Sequence, residues 1–118
     1  MKDSRLMTLG EKQEIFTSNL AKLIAYAESI GFRCRIREVE RTAYQQEEYL
    51  RLAKSKTPNS RHLKALAADI YFTKGSLYPV ELKGALAPLG SYWESLHPDN
   101  RWGGNFKDFQ DCPHFEMN

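Results

Sequence analysis

The first quarter of the chain places apolar residues at steps of three and four, which is the spacing of one face of a helix. We predict a helix over about residues 10–30. Thr8 and Glu11 have the pattern of a capping box at its start, and Gly31 suits the left-handed residue that ends a helix. The apolar face consists of Phe16, Leu20, Leu23, Ile24 and Ala27.

The next segment, residues 32–39, alternates apolar and charged side chains, which predicts a half-buried strand. The side chains expected to face the helix are Phe32, Cys34 and Ile36. Those expected on the opposite face are Arg33, Arg35 and Arg37. A second capping-box pair, Thr42 and Gln45, then predicts a helix that ends near Ala53.

The second half of the chain alternates short apolar runs with turn-forming residues. A polar, basic loop over 54–61 contains Pro58. We predict strands over 67–72 and 114–117. Between them we predict two short helices, over 79–87 and 89–96, which are separated at Pro88 and Gly90. Irregular chain is expected from Trp102. Helices combined with short strands favour an α+β domain, with helices on one face of a small antiparallel sheet.

Composition sets limits on this outline. With 118 residues, 42% apolar and 27% charged, the chain fits one globular domain over residues 1–118, and we expect a monomer. No apolar run approaches the ~20 residues of a membrane span, and the polar start at Met1 predicts no export signal. A net charge of +2 gives little support to nucleic-acid binding. Cys34 and Cys112 are interpreted as reduced thiols, with a bridge between them left open.

The candidate chemistry lies around two of the three histidines. On a helix, His62 and Asp69 would be about 10 Å apart, too far for one metal ion. A loop with His62 that folds back onto a strand with Asp69 avoids this problem. If that strand pairs with the last one, the apolar residues of both face the helices, and Asp69 and His114 share the open face. An aspartate in an apolar strand is costly unless it is paired or bound to metal.

Two imidazoles and one carboxylate leave an open coordination position, which is typical of a catalytic zinc site. We therefore predict that one zinc ion binds His62, Asp69 and His114. Asp111 is close enough to His114 to take a proton from a metal-activated water and pass it to a leaving nitrogen. The same ligands suit non-haem iron oxygenases, but those usually need a many-stranded barrel. The H-E-x-x-H signature of other zinc peptidases is absent.

These residues lie in segments that resemble a known family. Residues 60–69 (SRHLKALAAD) resemble the S-x-H-x-x-G-x-A-x-D motif of the D-alanyl-D-alanine carboxypeptidase/dipeptidase superfamily, the M15 peptidases, and Asp111-x-x-His114 resembles its second motif. Three further segments resemble one branch of this family, which contains phage endolysins and bacterial L-alanyl-D-glutamate peptidases. They are Glu40-Arg41-Thr42 with Gln45, residues 54–57 (KSKT), and Arg101-Trp102-Gly103-Gly104. The resemblance extends from about Thr8 to Glu116.

The resemblance implies a Hedgehog/D-Ala-D-Ala-peptidase-like zinc site on the open face of the sheet, with the ligands and the acid/base already named. It implies that Arg41 polarises the scissile carbonyl and stabilises the oxyanion. Ser60, Gln45 and Trp102 become candidates for contacts with the substrate or with the ligands, although core packing is the usual role of such a tryptophan. Ala65 and Ala53 replace glycines of the family, and a positive φ at Ala65 would cost about 1 kcal/mol.

The implied substrate is the stem peptide of peptidoglycan, cleaved between L-alanine and D-glutamate. Its carboxylates could meet Arg33, Arg35, Arg37, Lys54 or Lys56. Two alternatives stay open: a D,D-carboxypeptidase or dipeptidase on the same scaffold, and a non-catalytic zinc-bearing module such as a phage structural component. We expect synthesis in the host cytoplasm and action on the cell wall, after holin-type release or as a virion component. We expect no nucleic-acid or membrane partner.

Overall fold

The computed structural model describes residues 6–55 and 60–118, and within these ranges the chain forms three α-helices and four strands. The helices are α1 (Leu9–Ser29), α2 (Ala43–Arg51) and α3 (Lys83–Leu96). The strands are β1 (Arg33–Glu38), β2 (Ala67–Thr73), β3 (Asn100–Trp102) and β4 (His114–Met117). They form one antiparallel sheet in the order β1-β2-β4-β3. This confirms the predicted α+β class.

Two predicted features lie outside the described residues. They are the polar start of the chain, residues 1–5, and the part of the basic loop with Lys56, Thr57 and Pro58. A short 3₁₀ helix, Arg61–Lys64, follows that loop. In the described ranges, no helix combines the length and the apolar character that crossing a bilayer requires.

Helix α1 starts and ends where the sequence predicts. The backbone N–H of Glu11 donates to the Thr8 hydroxyl over 3.1 Å, and the Thr8 N–H donates back to the Glu11 carboxylate over 3.3 Å. Gly31 follows the helix with a φ of 98°. The predicted apolar face is the face that packs on the core, with Phe16, Leu23 and Ala27 buried and Leu20 and Ile24 partly buried.

The core lies between one face of the sheet and the helices α1 and α3. Trp93 of α3 packs edge-on against Phe16 of α1 and Phe115 of β4, at centroid distances of 5.5 and 5.9 Å. Its indole N–H donates to the Glu116 carbonyl over 3.0 Å, so the buried ring keeps its polar atom paired. The inward residues of β2 and β4 are the predicted ones, namely Ile70, Phe72, Phe115 and Met117, each no more than 1% exposed.

A β-bulge interrupts β1 next to the open face. Ile36 pairs with Ile70, but the following pair is Glu38 with Asp69, which leaves Arg37 as the extra residue. The bulge brings Glu38 beside Asp69, whereas simple alternation would turn Glu38 toward the core. Ile36, which was expected to face the helix, is 53% exposed on the edge strand just before the bulge.

The prediction of two short helices around Pro88 and Gly90 is wrong. A single helix, α3, runs through both residues from Lys83 to Leu96. Pro88 lies near the start of α3, where it removes a single intrahelical hydrogen bond. A Cβ on Gly90 would lie 2.1 Å from the Trp102 ring, so this glycine makes room for the tryptophan and does not break the helix.

Strand β3 also differs from the prediction, which was irregular chain from Trp102. Trp102 is the last residue of β3 and pairs with Phe115 of β4. The strand has only three residues, Asn100–Trp102, and its sequence does not alternate apolar and polar side chains. Its conformation is therefore set by pairing with β4, a partner that is distant in the sequence.

Two alanines have left-handed backbone conformations that glycine adopts more readily. Ala65 closes the 3₁₀ helix at φ 53° and ψ 40°, and Ala53 follows α2 at φ 59°. These are the two positions at which the resembled family has glycine. The expected strain at Ala65 is therefore present in the fold.

We predict that Ala65→Gly raises the free energy of unfolding by about 0.5–1 kcal/mol, because relief of left-handed strain exceeds the added entropy of the unfolded chain. Ala25→Gly, on the exposed side of α1, is the matched control and should lower it by about 1 kcal/mol. Urea denaturation of both variants measures the two changes. Equal losses of stability in the two variants would contradict the strain argument.

Candidate metal centre

The centre of the open sheet face brings three metal-ligand side chains together. Asp69 of β2 and His114 of β4 are directly paired, as the strand parity predicts. The 3₁₀ helix adds His62, whose Nε2 lies 3.3 Å from Asp69 Oδ1. His114 Nδ1 lies 3.2 Å from the same oxygen, and the three donor atoms all lie within 4.8 Å of one another.

This arrangement fits a single metal ion. His62 is 1% exposed, and its buried Nε2 has no hydrogen-bond partner among the described residues. A buried polar atom without a partner is costly, and a metal ion would satisfy it. Ligand atoms about 2.1 Å from one tetrahedral zinc are separated by about 3.4 Å, close to the two donor–Oδ1 distances seen here. Two imidazoles and a carboxylate are also a donor set that zinc accepts.

Backbone contacts from the end of β1 hold His62 in position. The ring Nδ1 is 2.8 Å from the Val39 carbonyl, which can only accept, so in the neutral ring Nδ1 carries the hydrogen and Nε2 offers its lone pair. The Arg41 N–H donates to the His62 carbonyl over 2.9 Å. Ser60 caps the 3₁₀ helix, with its hydroxyl accepting from the His62 N–H over 3.2 Å.

The ionisable groups at the centre shift one another's pKa values. Burial opposes ionisation of Asp69, but the two imidazoles outweigh it and hold the pKa of this carboxyl well below its ordinary range. Burial also opposes protonation of His114, yet hydrogen bonds to Asp69 and Glu116 raise its pKa to about 9. The two carboxylates therefore draw positive charge onto this ring. A metal ion would compete with that proton, because ligation requires the neutral imidazole.

Arg41 is buried and held on several sides. It pairs with Glu38 and donates to Gln46 and, over 3.3 Å, to the Ser60 hydroxyl. Its guanidinium lies over the Tyr49 ring at 4.5 Å, and Nη2 is 4.0 Å from Asp69 Oδ2. Arg41 is thus a fixed positive charge beside the metal-ligand group.

Asp111 lies in the turn that leads into β4. Its N–H donates to the Gly103 carbonyl over 2.9 Å, and its carbonyl accepts from His114 N–H over 3.1 Å. A Cβ on Gly103 would lie 2.1 Å from the Asp111 carbonyl oxygen, so only glycine allows this approach. Burial, followed by the charge of Asp69, raises the pKa of the Asp111 carboxyl.

Trp102 and Gln45 make their hydrogen bonds outside the metal-ligand group. Trp102 is 2% exposed, and its indole N–H donates to the Cys112 carbonyl over 2.8 Å. It therefore supports the turn with Asp111, and it also borders the cleft, so its contact with the substrate stays a prediction. Gln45 is exposed, closes the capping box on Thr42 and is not among the described residues that line the cleft, so its contact with the substrate stays a prediction. Its neighbour Gln46 faces inward to Arg41.

Basic side chains line the rim of the cleft around the centre. They are Arg37, Lys54, Arg61, Lys64, Arg101 and Lys107. Of the residues proposed to meet substrate carboxylates, Arg37 and Lys54 line this cleft, and the Arg37 guanidinium lies over the Tyr71 ring at 5.1 Å. Arg35 instead donates to the Leu77 carbonyl, and Arg33 is exposed away from the cleft lining. Cys34 and Cys112 are free thiols.

Four residues of the site have no role in the sequence prediction: Glu38, Gln46, Tyr49 and Glu116. Glu38 accepts hydrogen bonds from Arg41 and from the Tyr49 hydroxyl. The sequence holds one indication of a role for Glu38. Alternation along the strand places it on the same inward face as Cys34 and Ile36, where a charged side chain is unexpected. Glu116 shares the parity of His114, which indicates the same face.

The fold and the donor group together define a small α+β domain with a candidate catalytic metal centre. A profile of the family described as D-alanyl-D-alanine carboxypeptidase, in peptidase family M15, matches residues 53–117, more than half of the chain. The protein therefore belongs to this family of peptidases. The match includes all three candidate ligands and Asp111, and it confirms the resemblance seen in the sequence.

A solved structure with a similar fold is that of the Serratia marcescens L-Ala D-Glu endopeptidase ChiX. The two share 23% sequence identity with a TM-score of 0.68, over 92% of this chain and 85% of that one. This similarity shows a common fold. No curated protein matches the sequence.

We predict that Gly103→Ala lowers the free energy of unfolding by about 1–3 kcal/mol, because the new methyl group must displace the Asp111 backbone. Gly84→Ala is the matched control, since nothing lies within 4 Å of its Cβ position and α3 gains a better helix former. Urea denaturation should show a loss for the first variant and none for the second. Similar stabilities for both would contradict the close approach at Gly103.

Proposed function

We propose that this protein is a zinc-dependent peptidoglycan peptidase that hydrolyses the bond between L-alanine and D-glutamate in the stem peptide. One observation carries the proposal: donor atoms of His62, Asp69 and His114 lie within 4.8 Å of one another, in a cleft that Asp111 and Arg41 also line. Membership of a peptidase family supports the hydrolytic chemistry.

The proposed roles follow from the chemistry of each side chain. A bound zinc ion would lower the pKa of a water toward ~7 and so supply a nucleophile at neutral pH. Asp111 takes the proton of the attacking water and passes it to the leaving nitrogen. Its raised pKa suits this exchange, because an acid/base works best when its pKa lies closer to the working pH.

Arg41 is proposed to stabilise the negative charge that develops on the carbonyl oxygen of the scissile bond. Its contacts with Glu38, Gln46 and Ser60 already fix the guanidinium, so little reorganisation is needed during the reaction. The Tyr49 ring under the guanidinium adds to this fixed position.

The choice of bond is supported by the similar fold of an enzyme named as an L-Ala D-Glu endopeptidase. D-Glutamate carries a carboxylate beside that bond, and Arg37 and Lys54 are basic residues of the cleft lining that could pair with it. The description of the matched family favours a second candidate, a D,D-carboxypeptidase. The two activities release different products and can be separated directly.

A lysin role belongs to the same proposal. We propose action on the bacterial wall after holin-type release or as a virion component, supported by the motifs shared with phage endolysins. The monomeric state also stays a prediction.

We predict that Asp111→Asn keeps stoichiometric zinc but loses about 10²–10⁴-fold in turnover, because the proton carrier is removed while the ligands remain. His62→Ala should lose the metal itself. His97→Ala is the matched control, since His97 ends α3 and bonds the Asp99 N–H away from the donor group. Zinc content by atomic emission and release of peptides from purified peptidoglycan are the two measurements.

Two outcomes would contradict these assignments. Wild-type turnover in Asp111→Asn would remove this residue from the mechanism. Loss of zinc from His97→Ala would show that the ligand set is wrong.

We predict that digestion of purified peptidoglycan exposes new N-terminal D-glutamate, which mass spectrometry of the muropeptides after amino-terminal labelling detects. Released D-alanine without such N-termini would instead identify the D,D-carboxypeptidase. A zinc-loaded protein that releases neither product would contradict both peptidase activities and favour the non-catalytic module.

A further inference from the structure

We propose that Glu116 is a positioning residue of the metal centre, which holds the His114 ring so that Nδ1 faces the metal ion. This inference rests on the proposed zinc site. It assigns a task to a buried carboxylate that the proposed reaction leaves unused.

The geometry around His114 is well defined. Glu116 is 8% exposed and His114 is 7% exposed. Glu116 Oε1 lies 2.7 Å from His114 Nε2, while Nδ1 on the other side of the ring lies 3.2 Å from Asp69 Oδ1. Both partners are carboxylates, which only accept, so each ring nitrogen can donate while the ring is protonated. A metal ion requires the neutral ring, and the shorter contact with Glu116 then keeps the hydrogen on Nε2 and leaves the Nδ1 lone pair for the ion.

The two histidines use opposite ring nitrogens. His62 offers Nε2, because its Nδ1 is held by the Val39 carbonyl at 2.8 Å. His114 offers Nδ1, because Glu116 holds its Nε2. The residue type alone does not determine which nitrogen is used, so each ring needs a partner on its far side. A ring turned over about its Cβ–Cγ bond would move the lone pair away from Asp69.

Position on the strands explains why Nδ1 is the suitable donor for His114. Asp69 and His114 are directly opposite on β2 and β4, and such pairs have Cα atoms only about 4.5–5.5 Å apart. The nitrogen nearer to the backbone therefore reaches the shared centre. Glu116 follows on the same face of β4, where its side chain meets the far end of the ring.

Glu116 is itself held from the other side. Its second oxygen, Oε2, lies 3.8 Å from Arg101 Nη1, and Arg101 is opposite Glu116 in the β3–β4 register. Arg101 also lies over the Phe106 ring at 4.9 Å, and Phe106 packs at 5.7 Å from His114. Both oxygens of Glu116 are therefore engaged, one by the ring and one by the cation.

A carboxylate is also a stronger hydrogen-bond acceptor than a backbone carbonyl, because it is negatively charged. A negative acceptor on the N–H makes the opposite nitrogen a more basic ligand, and loss of such a partner typically weakens metal affinity by about 10–100-fold. We therefore expect Glu116 to affect the zinc affinity more than any exposed carboxylate of the cleft.

The test is a zinc titration of the full chain against a chromophoric chelator, with Glu116→Gln as the main variant. Glutamine preserves the size and an acceptor oxygen but removes the charge. Asp108→Asn is the matched control, because exposed Asp108 lines the same cleft and the substitution removes the same charge away from the donor group. We expect a loss of zinc affinity of about 10–100-fold for Glu116→Gln and near-wild-type affinity for Asp108→Asn.

Glu116→Ala should lose more affinity than Glu116→Gln, because both the charge and the acceptor disappear. Circular dichroism with chelator present checks folding, and if the alanine variant is unfolded, the glutamine variant decides alone. The absorption of bound Co²⁺ reports ligand geometry separately from affinity. It should change in Glu116→Gln but remain as in the wild type for Asp108→Asn.

The outcomes separate this inference from the proposed function. If the wild type binds one zinc ion and Glu116→Gln binds it equally well, the positioning role is wrong while the zinc site stands. Equal losses of zinc affinity in Glu116→Gln and Asp108→Asn would also overturn it, since they would reflect the net charge of the cleft and not a specific contact with His114. If the wild type binds no zinc, the proposed function itself fails.

Discussion

The register between β2 and β4 is the constraint on which the site depends. It places Asp69 opposite His114, and a slip of one strand by one residue would turn that strand's ligand toward the core and expose its apolar neighbours. The buried side chains of Ile70 and Phe115 oppose such a slip, because each contributes about 1.5–3 kcal/mol by leaving water. The hydrophobic core thereby determines the positions of ionisable groups on the other face of the sheet.

Much of this arrangement could be predicted from local patterns. Alternation in two short segments is enough to put Asp69 and His114 on one face, and capping boxes at Thr8 and Thr42 mark where two helices begin. These signals survive in the structure because each is local in the chain, or depends only on the period of two along a strand. The family resemblance then added Arg41 as a candidate, and the structure places it beside the donor group.

The features that escaped prediction all depend on contacts between distant segments. The bulge that turns Glu38 outward is set by pairing with β2. In the sequence, a charged residue at a position predicted to face inward is only a weak indication of such a bulge. Gly90 looks like a helix breaker until Trp102 is seen to pack against it. The capping box identifies Gln45 in the sequence, but the contact of its neighbour Gln46 with Arg41 follows only from how the helix packs.

Asp69 and His114 are 45 positions apart in the chain, yet they meet at one point. An ion bound there would join two distant segments as a crosslink does and would reduce the freedom of the unfolded chain. By the loop-closure relation used for disulfides, a closed loop of that length corresponds to roughly 4 kcal/mol. A small domain without a disulfide among its described residues would gain from a bound ion a resistance to unfolding in addition to that of its core.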